Sequence, residues 1–346
     1  MKREDVLRLV RPNILALEPY STARDEYEGG EIDVWLDANE NPFDNGVNRY
    51  PDPHQVALKG QLAEIKGVDA GSIFIGNGSD EAIDLVFRIF ARPGVDNAIS
   101  IAPTYGMYKV SAATNDVSMR EVELGTDFSL PVDALLAAAD ENSKIMWICS
   151  PNNPTGNSFP MEEITRLIEE FRGVVIADEA YIDFAAGEGF LPELAKYENL
   201  IVLQTLSKAW GMAGLRFGLA FASEAIISLM NRVKYPYNIN VLTQAHVARA
   251  LEVDITEQVE TIIAQRRFVI EQLEGYATVE RVYPTDANFV LVKVADADKM
   301  YNELVEAGVI VRNRTKIVGC KNTLRLTIGT EVENERMLRI IKNFGA

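Results

Sequence analysis

Apolar residues recur along the chain in short blocks, at 72–75, 98–102, 117–124, 145–149, 173–181, 200–203 and 217–221. Between them lie segments with apolar positions at helical spacing, clearest at 82–90 and 162–171. Near-continuous apolar blocks alternating with amphipathic helices predict an α/β unit whose mostly parallel sheet is covered on both faces. From 223 the pattern turns helical, through 240–251 and 254–273. The last third reads differently: a strand at 287–294, a helix at 297–307, strands at 309–312 and 323–329, and an amphipathic helix at 331–344. That order predicts a smaller α+β unit. At the other end, an amphipathic helix leads into an irregular arm with Pro12, Pro19 and Gly29-Gly30, which carries Tyr20 and Arg24. A short strand ending in a polar turn is expected at 35–42, and Asn48-Arg49-Tyr50-Pro51-Asp52-Pro53 reads as a proline-stiffened loop. The resulting division is an arm at 1–30, a large domain at 31–240 and a small domain at 241–346.

Composition narrows the partners. With 346 residues and 47% apolar content, two domains and a large core are expected. A net charge of -17 argues against nucleic acid and anionic membranes, though it leaves room for a basic pocket. Two cysteines make no disulfide framework, and Cys149, inside an apolar run, reads as a buried thiol. The start reads as no signal peptide and no apolar run is long enough for a membrane span, so a soluble cytoplasmic protein is expected. His54 and His246 are too scattered for a metal site, and none is expected.

Several strand ends carry chemistry. The block at 200–203 runs into Ser207-Lys208-Ala209-Trp210-Gly211 and Gly214-Leu215-Arg216. A lysine placed there, among cations, is suited to condense with a carbonyl, because burial and like charge free its amine; alone, it could equally be a solvated loop residue. Gly76-Asn77-Gly78-Ser79-Asp80-Glu81 leads into a helix whose free N–H groups form an anion site; the plainer reading is a capped helix with Ser79 as N-cap. Tyr105 follows another strand and could stack on a ring or pack in the core. Asn153 lies in a turn rich in proline and glycine. Asp178 ends a buried strand and requires a cation, which points to one pocket shared with Lys208. Arg325, mid-strand among apolar neighbours, offers a planar fork to an oxyanion or to a structural ion pair.

Taken in order, Asn153-Pro154-Thr155-Gly156, Asp178-Glu179-Ala180-Tyr181, Ser207-Lys208-Ala209 with Gly214-Leu215-Arg216, and Arg325 resemble the fold-type I pyridoxal-phosphate aminotransferases over nearly the whole chain. Asn39-Glu40-Asn41-Pro42, Arg49-Tyr50-Pro51-Asp52, Pro103-Thr104-Tyr105-Gly106-Met107-Tyr108 and Leu324-Arg325-Leu326-Thr327-Ile328-Gly329-Thr330 are similar to the histidinol-phosphate aminotransferase branch of that family. The resemblance implies a fold-type I transferase, with a mostly parallel seven-stranded sheet between helices and a smaller α+β domain. It implies pyridoxal 5'-phosphate bonded to Lys208, Asp178 on its ring nitrogen, Tyr181 and Asn153 on its 3-oxygen, and Tyr105 stacked on its ring. The amides of Ser79 and Asp80, with Ser207 and Arg216, match the phosphate cradle, and Tyr50 matches a tyrosine reaching in from the partner of a homodimer. Arg325 matches the carboxylate-binding arginine, Arg312 and Tyr20 match positions that hold a substrate phosphate, and Asn39 lies beside the substrate.

The activity so implied is ping-pong amino transfer between L-histidinol phosphate and 2-oxoglutarate in histidine biosynthesis. One pocket must then accept a phosphate in one half-reaction and a carboxylate in the other, and we expect Arg325 to serve both and Arg312 mainly the phosphate. Within the same fold, an aromatic aminotransferase or a decarboxylase of a phosphorylated amino acid shares most of these motifs. A catalytically silent binding protein on this scaffold would often lose Lys208 or Asp178; both are present.

Overall fold

A computed structural model describes residues 1–21 and 33–344. Its centre is a seven-stranded sheet of β1 (Ile73–Asn77), β2 (Asn97–Ala102), β3 (Ser118–Glu123), β4 (Ser143–Cys149), β5 (Val174–Asp178), β6 (Leu200–Thr205) and β7 (Phe217–Ala222). The spatial order is β1-β7-β6-β5-β4-β2-β3. β3, β2, β4, β5 and β6 run parallel, and β7 is antiparallel to both its neighbours.

Strand alternation divides the sheet's side chains between two cores. Met146, Ile148, Val175, Ala177, Leu200 and Val202 pack on one face, where the helix Met161–Glu170 adds Ile164, Leu167 and Ile168. Ile145, Trp147, Val174, Ile176, Ile201 and Leu203 pack on the other, against Val86, Phe87 and Phe90 of the helix Ser79–Phe90. With both faces covered, the strands read as continuous apolar runs, which is why the sequence shows them so clearly. Val247 and Leu251, on and just after the helix Val241–Ala250, join the first of these cores.

A second sheet, β8 (Val279–Val282), β9 (Phe289–Val294), β10 (Arg312–Asn313) and β11 (Thr323–Thr327), is antiparallel throughout in the order β10-β11-β9-β8. One face carries Val290, Val292, Leu324 and Leu326 into a core with the helices Thr256–Glu274, Ala297–Glu306 and Glu331–Lys342. The opposite face turns toward the large sheet, and Phe289 meets Tyr181 edge-on at 5.1 Å.

The strand expected at 35–42 does not form: the described residues there pair with no strand. Val34 and Leu36 are 68% and 85% exposed, so this segment has no apolar face to bury within the protomer. The strand expected at 309–312 shrinks to Arg312–Asn313, because Gly308 (φ 79°) turns the chain after the preceding helix before pairing begins. Ser79 is not an N-cap; Gly78 occupies that position with φ 76°, which no β-carbon tolerates easily. The helices Val56–Lys66, Met107–Thr114 and Val132–Ala137, and strand β8, carry too weak a periodicity to be read from sequence. Arg24 and Gly29-Gly30 lie outside the described residues.

Gly218 in β7 lies beneath the Gly78-Ser79 turn, and a β-carbon there would collide with the Ser79 nitrogen and the Gly78 carbonyl carbon. Backbone cannot step aside as a flexible side chain can. Gly218→Ala should therefore cost about 1–3 kcal/mol, read as a lower urea midpoint, and should displace the start of the Ser79 helix.

Candidate active site

Parallel strands bring their carboxyl ends to one edge of a sheet, where ligands gather. Here Cys149, Asp178 and Thr205 end three adjacent strands, β4, β5 and β6. A cavity of about 610 Å³ opens at that edge. Ser79, Asp80, Tyr105, Asn153, Asp178, Tyr181, Ser207, Lys208, Arg216, Arg312 and Arg325 all line it, although they come from distant parts of the chain.

Lys208 lies three residues beyond the end of β6, in a turn held by the Thr205 hydroxyl, which donates to Ser207 Oγ (2.9 Å) and accepts from the Ser207 N–H (3.1 Å). Its Nζ is 5.7 Å from the centre of the Tyr181 ring. Burial, then Arg325 and Arg216, lower its pKa from the ordinary lysine value, against the opposing pull of Asp178 and Asp80. An amine so placed gives up its proton more readily than one in water.

Asp178 is buried at the end of β5. The Tyr108 hydroxyl donates to Oδ2 and the Ala180 N–H to Oδ1 (3.1 Å). Burial raises its pKa to about 6, with Tyr108 and the Ala180 amide working against the rise. Near neutral pH it is therefore ionised and ready for a protonated ligand group. Tyr108 is itself locked by stacking on Trp147 at 4.7 Å. Sequence reasoning gave Tyr108 no role, because nothing along the chain shows that the helix Met107–Thr114 points it at the end of β5.

At the opposite wall, the helix Ser79–Phe90 starts at the cavity, which Ser79 and Asp80 line, with no side-chain cap on its first turn, where N–H groups lack intrahelical acceptors. Arg216 Nη2 lies 2.5 Å from where a β-carbon on Gly78 would be, so the close approach requires glycine. The same guanidinium group donates to Asp80 Oδ2 (3.0 Å), and Tyr105 Oη donates to Asp80 Oδ1 (3.1 Å). Asp80 thus ties together Arg216 and Tyr105, a bridge that is not apparent from the sequence.

The second sheet supplies the remaining wall. Arg312 on β10 pairs directly with Arg325 on β11, so both side chains leave the same face. Arg325 Nη1 donates to Asn153 Oδ1 (2.6 Å), whose Nδ2 in turn faces Tyr181 Oη at 3.4 Å. The guanidinium group stands 5.1 Å from the Phe289 ring centre. Arg314 also lines the cavity, and it was passed over because the two-residue spacing from Arg312 has meaning only once the strand and its register are known.

Three residues singled out in the sequence lie elsewhere. Tyr50 stacks on Tyr237 at 4.3 Å, and both line a surface groove that also includes Asn39. Tyr20 is 73% exposed at the edge of the described arm. Among the described residues, no helix is long and apolar enough to cross a membrane.

The profile of the aminotransferase class I and II family matches residues 23–341, and the chain belongs to that family. Its relatives include the histidinol-phosphate aminotransferase of Parabacteroides distasonis, 52% identical over 342 residues that cover 98% of this chain and 99% of the relative. Among solved structures, the histidinol-phosphate aminotransferase from Clostridium acetobutylicum superposes with a TM-score of 0.79 at 25% identity, covering 86% of this chain and 90% of the other. The Sinorhizobium meliloti histidinol-phosphate aminotransferase, solved in complex with pyridoxal-5'-phosphate, shares the fold with a TM-score of 0.77 at 21% identity, over 85% and 83% of the two chains.

The Asp178 carboxyl group gives the cofactor-free protein a defined pH signature. The folded protein keeps this proton up to about pH 6, whereas the unfolded chain releases it near 3.8. The folded state binds more protons in that window, so stability falls as pH rises through it. Asp178→Asn should flatten this slope in urea midpoints taken at half-unit steps. A slope should persist toward pH 7, where buried Glu179, also raised by burial, titrates at about 7. Tyr108→Phe removes a donor to the ionised form and should move the Asp178 transition upward by about one unit.

Proposed function

We propose that this protein catalyses the reversible transfer of an amino group between L-histidinol phosphate and 2-oxoglutarate, with pyridoxal 5'-phosphate as its cofactor. The observation that carries this reading is the meeting in one cavity of an amine with lowered proton affinity, a buried carboxylate, an anion-receptive helix start and a face of arginines. Full-length similarity to histidinol-phosphate aminotransferases supports the choice of substrate.

The residues fit the cofactor. The N–H groups of Ser79 and Asp80, the Ser207 hydroxyl and Arg216 would hold its phosphate, in a cradle that a side chain at position 78 would fill. Asp178, oriented by Tyr108 and Ala180, would hold the ring nitrogen protonated. Asn153 and Tyr181 would bond its 3-oxygen, and Tyr105 would lie against its ring. When bound, the protonated pyridine ring withdraws electrons from the α-carbon of the substrate and stabilises the carbanion formed there. Lys208 Nζ would take the proton from that α-carbon and pass it to the cofactor carbon that receives the amino group, the reverse transfer running in the other half-reaction, and its lowered pKa favours the uptake. Arg325 fixes the oxyanion end of the substrate and so aims its α-carbon at Lys208.

A homodimer belongs to the same proposal. Phe43, 80% exposed, lies with Val34 and Leu36 on the segment that leads to Tyr50, and a second copy would cover this apolar surface. Tyr50 would then reach the partner's cofactor phosphate, with Asn39 and Tyr20 beside the substrate. An arm, a large domain and a small domain belong to the same proposal, with the substrate held between the two sheets.

The purified protein with cofactor should show a visible band that histidinol phosphate converts to the near-ultraviolet band of the aminated cofactor. No conversion, with conversion by phenylalanine or release of carbon dioxide from threonine phosphate instead, would defeat the assignment. Lys208→Ala should slow the conversion by about 10²- to 10⁴-fold, measured in single turnover. Arg312→Ala should weaken histidinol phosphate more than glutamate, and equal losses would refute the division between the two arginines.

A further inference from the structure

Arg314 belongs to the same strand face as the two arginines already assigned. The ladder between β10 and β11 continues past Asn313, with the Arg314 N–H donating to the Thr323 carbonyl (2.9 Å). Residues two apart on a strand share a face, so Arg314 projects alongside Arg312 and Arg325 into the cavity that holds Lys208. Arg312 is exposed, whereas Arg314 and Arg325 are half-buried.

The three differ in what already satisfies them. Arg325 bonds to Asn153 and covers the Phe289 ring. Arg314 and Arg325 each keep a buried Nε with no acceptor, and the Thr315 hydroxyl beside Arg314 is likewise buried without a partner. Among the described residues, no carboxylate pairs with any of the three guanidinium groups. Burial, followed by Arg325 and Arg312, lowers the Arg314 pKa to about 10. Buried guanidinium groups that repel one another and leave donors unpaired are costly unless an anion joins them.

We infer that Arg314 is an anion-binding residue of this pocket that takes the phosphate of the phosphorylated substrate in preference to the carboxylate of glutamate. The inference rests on the function proposed above and deepens it. A carboxylate attached directly to the α-carbon is a single charge that one fork can hold, and Arg325 supplies that fork. A phosphate ester reaches further, through a methylene and an ester oxygen, and presents a near-dianion with three terminal oxygens. Arg312, paired with Arg325 across the ladder, and Arg314, two residues further along the strand, provide the additional donors such a group requires.

The test uses Arg314→Gln and Arg314→Lys holoenzymes, with thermal midpoints to confirm folding. Single-turnover half-reactions with L-histidinol phosphate and L-glutamate are followed by cofactor absorbance, and inorganic phosphate is titrated as a competitor of glutamate. In Arg314→Gln, apparent affinity for histidinol phosphate should fall about 10- to 100-fold more than that for glutamate. Inhibition by phosphate should weaken in parallel, and Arg314→Lys should recover part of both losses. Equal effects on both donors, or unchanged inhibition by phosphate, would overturn the assignment. If Arg314→Gln does not fold, the same comparison is made on Arg314→Lys, where a smaller loss confined to the phosphorylated donor is expected and an even loss refutes it. Wild-type protein that ignores histidinol phosphate would instead sink the proposed function, and the phosphate titration would then decide the role of Arg314 alone.

Discussion

Asp178 and Lys208 lie in one cavity because β5 and β6 are parallel neighbours, and the rest of the site depends on that adjacency. Each group would be unfavourable in isolation: a carboxylate buried at a strand end and an amine among guanidinium groups. The fold stabilises each only partly. Tyr108 and the Ala180 amide offset some of the cost of burying Asp178, while Arg325 and Arg216 increase the cost of charging Lys208. What remains is a pocket with a carboxyl group whose pKa is raised to about 6, an amine whose pKa is lowered, and an excess of positive charge on two walls. That imbalance is chemically useful, because an anionic cofactor and an anionic substrate can each relieve part of it.

The two sheets divide the work by their geometry. The parallel sheet gathers distant residues at one edge, so the last residue of β5 and the turns after β4 and β6 can present Asp178, Asn153 and Lys208 together. The antiparallel sheet does something different: its pleat aims every second side chain at the cavity, which turns Arg312, Arg314 and Arg325 into a single cationic face. The link between the sheets is direct, since Arg325 bonds to Asn153 and Phe289 packs against Tyr181. Binding at one sheet is thereby coupled to geometry at the other. A protein with a net charge of -17 can therefore present a strongly cationic pocket, because local placement and not the total sets the field there.

Much of this was legible in one dimension. The central strands stand out because both of their faces are buried, and the positions that carry Lys208, Asp178, Asn153 and Arg216 lie at their ends or in the turns beside them, while Arg325 stands out as a charge in the middle of an apolar strand of the second sheet. Where a segment lacks a buried face, the reading failed. The 35–42 segment is apolar enough to suggest a strand, yet Leu36 lies open and finds no sheet edge to join. The short helix carrying Tyr108 has little periodicity, and its importance comes from a contact with a residue seventy positions away.

The sequence by itself determined the alternation of layers, the two-sheet plan and most of the polar groups at the strand ends, because burial periodicity and turn chemistry are local properties. Only the tertiary structure decided which of those groups share a cavity, and that Tyr108 backs Asp178, Asp80 ties Arg216 to Tyr105, and Arg314 joins the cationic face. Those facts depend on strand order, register and helix orientation, which arise from long-range packing and leave no periodic mark on the chain.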